Sequence, residues 1–395
     1  MSDREVMVLS GVRTAIGKYG GGLKDVPPAD LAALVTREAV ARAGVEPSDV
    51  GHVVFGNVIH TEPRDMYLSR VAAINGGLPV ETPAFTLNRL CGSGLQAIVS
   101  ASQAVMLGDA DAALAGGAES MSRGQYWLPG MRWGQRMGNG QVVDATVGAL
   151  TDPFDDCHMG VTAENVAEKW GVSREDQDAL AVESHRRAAA ATEAGYFTEQ
   201  VVPVEVKTRK GTEQFTTDEQ IRAGVDLEAM ARLKPPFAGS GSVTAGNSSG
   251  VNDAAAAVVL MERGAMQARG LHPLGRLVAY SHAGVEPRYM GVGPVPAIRK
   301  VLDKAGMKIE EMDVIELNEA FAAQALAVMR DLDLSEEKTN PLGSGISLGH
   351  PIGATGCILT VKILNELRRT GGRFGLVSMC IGGGQGIAAI FESVG

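Results

Sequence analysis

Apolar residues in this chain fall into two kinds of run that alternate. Short unbroken runs such as Val6-Met7-Val8-Leu9 read as buried strands, and longer stretches with apolar positions three and four apart read as helices. The strand at 6–9 leads through a glycine-rich loop to a helix opened by Pro27-Pro28-Ala29-Asp30. That helix sets Leu31, Leu34 and Val35 on one face and stops at Ala43-Gly44. Val53-Val54-Phe55 then forms a strand closing at Gly56-Asn57. The same order returns later in the chain. Leu277-Val278-Ala279-Tyr280 leads to a helix with Ile298, Val301, Leu302 and Ala305 at i, i+3, i+4 and i+7, a stop at Gly306, and a strand, Val314-Ile315-Glu316-Leu317, closing at Asn318. Each half next presents a glycine-rich strand-to-helix turn, with Cys91 in one and His350 in the other. Each ends on an apolar strand, 112–114 and 376–379, that runs into glycines. This weak duplication predicts two α/β domains with largely parallel, buried sheets, facing each other across a shared site.

The stretch between the halves differs. Residues 124–140 form an irregular segment with several glycines and with Trp127 and Trp133, two of the three tryptophans. Ser173-Arg174-Glu175-Asp176 is a capping-box-like start for a charged helix that stops at Gly195. Residues 240–250 are almost all small, a loop where backbone can meet a ligand. The predicted division is therefore 1–120 plus 250–268, an inserted subdomain at 121–249, and 269–395, with an apolar helix or strand at 254–261 returning to the first domain.

Composition narrows the function. Apolar residues make up 45 % of 395, so 50 glycines do not signal low complexity. With 5 % aromatics and a net charge of −10, no nucleic-acid partner and no anionic membrane surface is expected. No apolar run reaches transmembrane length, and neither a secretory leader nor a C-terminal retention or peroxisomal signal is recognisable. Four scattered cysteines (91, 157, 357 and 380) form no disulfide framework and no paired metal motif. The expectation is a cytoplasmic protein without a metal.

Three glycine-bedded residues carry the chemistry. Cys91 precedes Gly92-Ser93-Gly94 and an apolar segment free of proline, which places its sulfur at a helix N-terminus, where the dipole and free amides favour a thiolate. The bland alternative is a small buried hydrophobe. His350, between Gly349 and Pro351, is held in a tight turn that suits a base needing aim, although a lone histidine is usually a satisfied polar group. Cys380 follows an apolar strand and precedes four glycines within six residues. Beside Cys91 and His350 this reads as an oxyanion-binding turn carrying a second acid/base, and in isolation as a tight turn. Asn318 closes a strand at the domain junction, where it either binds a ligand group or caps a helix.

Five ordered motifs resemble the thiolases, acetyl-CoA acetyltransferases, over essentially the whole chain. They are Asn88-Arg89-Leu90-Cys91-Gly92-Ser93-Gly94, His158-Met159-Gly160-Val161-Thr162-Ala163-Glu164-Asn165, Asn318-Glu319-Ala320-Phe321, Gly349-His350-Pro351-Ile352-Gly353-Ala354-Thr355-Gly356 and Cys380-Ile381-Gly382-Gly383-Gly384-Gln385-Gly386. Within the family the chain is most similar to bacterial β-ketothiolases that supply polyhydroxyalkanoate synthesis. The resemblance implies a five-layer αβαβα sandwich of two duplicated domains. It implies Cys91 as acyl-accepting nucleophile, His350 as its base, and Cys380 as the group exchanging a proton with the α-carbon of acetyl-CoA. Asn318 would hold a water that forms one oxyanion hole with His350, and the amides of Cys91 and Gly382 would form the other. Coenzyme A, a substrate and not a resident cofactor, would lie over the insertion near Ser249, with Arg222 at its adenine or phosphate. His158 and Met159 would line the acyl pocket, and Ala245, Phe321, Leu150 and Met290 would complete the contacts. A homotetramer built as a dimer of dimers, joined through 124–140, is also implied.

Four departures accompany the resemblance. Gly343-Ser344-Gly345 replaces the usual paired glycines, Ser248 stands where many relatives have alanine, Cys157 falls outside the catalytic set, and the basic run Lys207, Arg209, Lys210 reads as a solvated face. The alternatives are a degradative 3-ketoacyl-CoA thiolase, a ketoacyl synthase, a cysteine hydrolase and a non-catalytic acyl-CoA carrier. Cys380 speaks against the synthase and the hydrolase, and the joint presence of Cys91, His350 and Cys380 against the carrier.

Overall fold

The computed structural model describes residues 4–209 and 211–394. The first half contributes strands β1 (Val6–Thr14), β2 (Val50–Gly56), β3 (Ala84–Leu87), β4 (Ala112–Ser120) and β5 (Asn252–Glu262). The second half contributes β6 (Gly275–Gly284), β7 (Val314–Leu317), β8 (Phe374–Ile381) and β9 (Gln385–Ser393). Their order is β3-β2-β4-β5-β1 followed by β6-β9-β8-β7, and the two sheets pair through two residue pairs, Met7 with Arg276 and Val8 with Gly275.

The duplication is visible pair by pair. First and last strands are antiparallel in both halves (β1 with β5, β6 with β9), as are the next pairs (β5 with β4, β9 with β8). The pairs β4 with β2 and β8 with β7 are parallel. Even a register shift recurs, between Val8 and Ser10 in β1 and between Leu277 and Ala279 in β6. The expectation of largely parallel sheets is thus overturned. The cause is in the connections. β8 returns as β9 through the turn Gly382, Gly383, Gly384, whose last two residues have φ of 81° and 82°, and a tight turn can join only antiparallel neighbours. In the first half, the insertion stands where the second half has that turn, between β4 and β5.

Alternation along the strands buries both faces. In β1, Val6 and Val8 join one core while Met7 and Leu9 join another, and β5 divides Ala254, Ala256, Val258 and Leu260 from Ala255, Ala257, Val259 and Met261 in the same way. Helix α1 (Pro28–Ala43) covers the outer face of the first sheet and ends at Gly44 with φ 67°. Between the sheets lie α2 (Ser93–Leu107) and, late in the chain, the helix Thr355–Thr370. The outer face of the second sheet is covered by two further helices, Pro294–Ala305 and Ala322–Asp331. This gives the five αβαβα layers. Leu90–Leu107, the one described segment long and apolar enough to cross a membrane, is part of the middle layer.

The insertion holds α3 (Met159–Trp170) and α4 (Arg174–Glu193); Ser173 Oγ caps α4 by accepting from Asp176 N at 3.1 Å. In order after these come α5 (Pro294–Ala305), α6 (Ala322–Asp331) and α7 (Thr355–Thr370). Trp127 and Trp133 are 54 % and 91 % exposed. Lys207 and Arg209 lie on the solvated hairpin of Val204–Thr208 with Gly211–Phe215, while Lys210 is outside the described residues. A buried ion pair pins the insertion to β1: both Asp218 oxygens accept from the Arg13 guanidinium, at 2.8 and 2.9 Å.

Candidate active site

Cys91 lies in a 3-10 turn, Leu90–Gly92, immediately before α2. Ser93 builds the turn: its hydroxyl donates to Leu90 O at 2.7 Å and accepts from Arg89 N at 2.8 Å. Leu90 is held at φ 44°, an uncommon conformation for a leucine, with its amide on Asn88 Oδ1. Two further amides, that of Cys91 itself and that of Gly382, point at the Cys91 sulfur. Burial outweighs both and pushes the thiol up to about 11. The thiolate expected from the helix terminus is therefore not the resting form.

His350 is fixed at two points. Its backbone amide donates to Asn252 Oδ1 at 2.9 Å, and Nδ1 lies 2.7 Å from Thr355 Oγ1. The Thr355 hydroxyl donates its own hydrogen to Pro351 O at 3.0 Å. Its oxygen therefore accepts from Nδ1–H, which leaves Nε2 with a free lone pair. Burial lowers the imidazole to about 4, so at neutral pH it is an uncharged base. Gly349, at φ 113°, admits the close packing of Asn252, whose Cγ would lie 2.6 Å from a Cβ there.

Asn318 follows β7 and caps no helix, since α6 begins at Ala322 after Phe321. Its Nδ2 is 3.4 Å from both ring nitrogens of His350, which sets the amide over the ring, and its Oδ1 is buried without a protein partner. Cys380, near the end of β8, is fully buried. Burial, with the neighbouring Cys91 adding to it, drives its thiol far up.

These groups open onto one cavity of about 340 Å³. Cys91, His350, Cys380 and Gly382 line it, together with His158, Met159, Arg222, Ala245, Ser249, Leu150, Met290 and Phe321, so every residue named from sequence is at the wall except Asn318, which sits behind His350. His158 stacks on Phe237 at 4.8 Å and accepts Gly160 N on Nδ1, leaving Nε2–H for the cavity side. Gly382 packs where a Cβ would meet Met159 Cε at 2.6 Å. Ser248 also lines the wall, with its hydroxyl on Thr244 O at 2.6 Å, whereas Cys157 does not. Gly343, at φ 76°, accepts Lys362 Nζ on its carbonyl at 2.6 Å, which ties the variant Gly343-Ser344-Gly345 turn to the core.

Several residues here escaped the sequence reading. Gln220, Pro236 and Phe237 line the cavity from loops without a motif, and Thr355 and Asn252 hold His350. Thr355 lies inside a recognised motif, five residues after the histidine, and this spacing was the available signal.

Comparison with known proteins points one way. The profile for "Thiolase, N-terminal domain" matches residues 6–264 and that for "Thiolase, C-terminal domain" matches 271–393. The chain is 64 % identical to the "Beta-ketothiolase BktB" of Cupriavidus necator over 99 % of this chain and 100 % of that one. It is 49 % identical to an "Acetyl-CoA acetyltransferase" of Chromobacterium violaceum over 98 % and 99 %. The crystal structure of the Bacillus anthracis acetyl-CoA acetyltransferase superposes with a TM-score of 0.98 at 46 % identity over all of both chains. Human mitochondrial 3-ketoacyl-CoA thiolase in complex with CoA gives 0.96 at 44 % identity, covering 99 % and 98 %.

Proposed function

This chain belongs to the thiolase family and is an acyltransferase, and from that premise we propose that it is an acetyl-CoA C-acetyltransferase of the short-chain β-ketothiolase kind. The observation that supports the assignment is the meeting of a half-buried and a fully buried thiol, one neutral imidazole and two inward-pointing amides in a single cavity. In the proposed mechanism, Cys91 Sγ attacks the thioester carbonyl of acetyl-CoA while its proton passes to His350 Nε2. The adduct then breaks its bond to the CoA sulfur, which takes that proton and leaves as free thiol. Cys380 passes its proton to His350, which is neutral again once CoA has left, and as thiolate removes a proton from the α-carbon of a second acetyl-CoA or short acyl-CoA. The carbanion attacks the acyl carbonyl on Cys91, the new carbon–carbon bond forms, and Cys91 departs as thiolate and takes the proton held by His350, which restores both thiols and the neutral imidazole.

The roles follow from position. The amides of Cys91 and Gly382, aimed at the sulfur in the free site, suit the oxyanion of the acyl-enzyme. The orphaned Asn318 Oδ1 suits an ordered water beside His350. Coenzyme A is assigned to Ser249 and Arg222, with His158, Met159, Ala245, Leu150, Met290 and Phe321 around the acyl and pantetheine groups. The domain division 1–120 plus 250–268, 121–249 and 269–395 is retained, as is a cytoplasmic homotetramer joined through the segment bearing Trp127, Met131, Trp133 and Met137, an exposed apolar surface that a second copy would cover. Supply of 3-ketoacyl-CoA to polyhydroxyalkanoate synthesis is the physiological role we assign.

The test is thiolysis of acetoacetyl-CoA and 3-ketovaleryl-CoA by free CoA, wild type beside Cys91→Ser. Loss of the 3-ketoacyl absorbance with wild type alone is expected. No turnover of either substrate by folded wild type would sink the short-chain reading.

A further inference from the structure

The two halves assign each active-site group a counterpart. Their registers pair Leu317 with Ser378 in one half and Gly56 with Gly117 in the other. One residue beyond Leu317 and Gly56 stand Asn318 and Asn57, and two beyond Ser378 and Gly117 stand Cys380 and Glu119. Cys91 and His350 each occupy the turn before the central helix of their half. Glu119 therefore holds, in the first half, the place that Cys380 holds in the second. It is a titratable group that the mechanism above leaves unused.

Glu119 is fully buried, and no cation is among its hydrogen-bond partners. Oε1 accepts from Asn57 Nδ2 at 3.1 Å and Ile59 N at 3.0 Å; Oε2 accepts from Val58 N at 3.1 Å and Gly353 N at 2.9 Å. All four partners can only donate at these nitrogens. Burial pushes the carboxyl up to about 8 and so favours the neutral form, but each oxygen already accepts two N–H donors and a proton on either would point at one of them, so the geometry of the nest is that of a carboxylate. Three donors belong to the segment that follows β2, in the first half. The fourth, Gly353, ends the turn that begins at His350, and a Cβ there would lie 2.5 Å from Glu119 Oε2. The other titratable groups that Glu119 faces are Asp65, on the Pro63–Tyr67 turn, and Cys91.

We propose that Glu119 is a positioning residue of this thiolase site, locking the His350 turn of the second half onto the strand ends of the first and setting one negative charge near the Cys91 sulfur. The first effect fixes the distance between nucleophile and base, which sit on different halves of the molecule. The second adds to burial, the larger cause, in holding Cys91 as a thiol until His350 receives its proton, because a like charge disfavours the thiolate. The inference deepens the thiolase reading and rests on it.

Two variants separate the effects. Glu119→Gln removes the charge and turns an amide NH₂ toward two donors. Glu119→Asp keeps the charge and shortens the reach to Gly353. Sites are counted by the stoichiometry of acetyl transfer from labelled acetyl-CoA to protein, so that rates refer to folded enzyme only. For Glu119→Gln the pH midpoint of Cys91 alkylation by iodoacetamide should fall by about one unit, and for Glu119→Asp it should stay at the wild-type value. Thiolysis kcat per counted site should fall at least about tenfold in both, with KM for CoA within about twofold. Wild-type kcat per site in Glu119→Asp overturns the proposal even if Glu119→Gln cannot be folded, and so does an unshifted alkylation midpoint in a folded Glu119→Gln. Wild-type enzyme that turns over neither ketoacyl-CoA would instead overturn the thiolase reading itself, which the alkylation profile does not touch.

Discussion

At the scale of single residues, the free lone pair of His350 is made by Thr355. Nothing else described reaches Nδ1 with comparable geometry: the Asn318 amide lies 3.4 Å from both ring nitrogens and faces the ring, not a lone pair. Removing the hydroxyl frees the ring to turn and to exchange tautomers. Thr355→Val should lower kcat of thiolysis about ten- to a hundredfold while KM for CoA stays within about twofold. Thr355→Ser, which restores the hydroxyl, should recover most of the rate. Equal kcat in wild type and valine variant would show that the ring is aimed by packing alone. Neither Thr355 nor Glu119 was legible in the sequence, for one physical reason. Cys91, His350 and Cys380 betray themselves by reactive chemistry in glycine beds, whereas a threonine in a helix's first turn and a glutamate ending a strand have ordinary local uses. The role of Glu119 exists only across the interface between the halves, at a separation such as Glu119 to Gly353, which no local pattern records, whereas Thr355 reaches His350 from five residues away and that spacing is its one signal.

At the scale of elements, the site depends on two central helices that cross at their first turns. A Cβ on Gly94 would lie 2.7 Å from Cys357 N, and one on Gly356 would overlap Leu95 N. These obstacles are backbone, which cannot swing aside as a side chain can. Gly356→Ala must therefore push α7 from α2, and with it His350 from Cys91. The expected cost is about 1–3 kcal/mol of stability, read from denaturant midpoints, and at least about a tenfold loss of kcat in enzyme that still folds. An unchanged midpoint with wild-type kcat would mean that the crossing has slack. Helices such as α1, α4 and α5 and the strands β1, β2, β4, β6, β7 and β8 were readable, because apolar spacing and glycine stops are local signals, whereas β3, β9 and α6 were not read and β5 was left as helix or strand. Strand direction was not. The run Leu376-Val377-Ser378-Met379 is equally buried in a parallel or antiparallel sheet, and only the turn at Gly383 and Gly384 decides it.

At the scale of the whole molecule, burial of neutral histidines ties folding to pH. His350 and His185 are both buried and both lowered to about 4; His185 Nδ1 accepts the Arg222 amide at 3.2 Å, and a protonated ring would lose that contact and face the Arg222 charge. In the unfolded chain each ring takes a proton near the ordinary histidine value of about 6.5. Between about 6.5 and 4 the unfolded state therefore binds more protons than the native state, and stability rises with pH across that window. The stability that depends on the neutral form is complete above about 6.5 and is lost on acidification towards 4. For His350 alone the ceiling is about 3 kcal/mol, the free energy of moving one proton's titration from about 6.5 down to about 4. Denaturant midpoints should then fall steadily as pH is lowered from about 7 to about 4.5, and His185→Gln, whose amide oxygen can still accept Arg222 N, should flatten the fall. Because His185 holds the backbone of the residue assigned to coenzyme A, KM for CoA should rise in the same acidic window in wild type and less in His185→Gln. Parallel pH profiles for the two proteins, in both stability and KM, would remove His185 from the account and leave the acid limb to the other histidines lowered to about 4, His350 and His282.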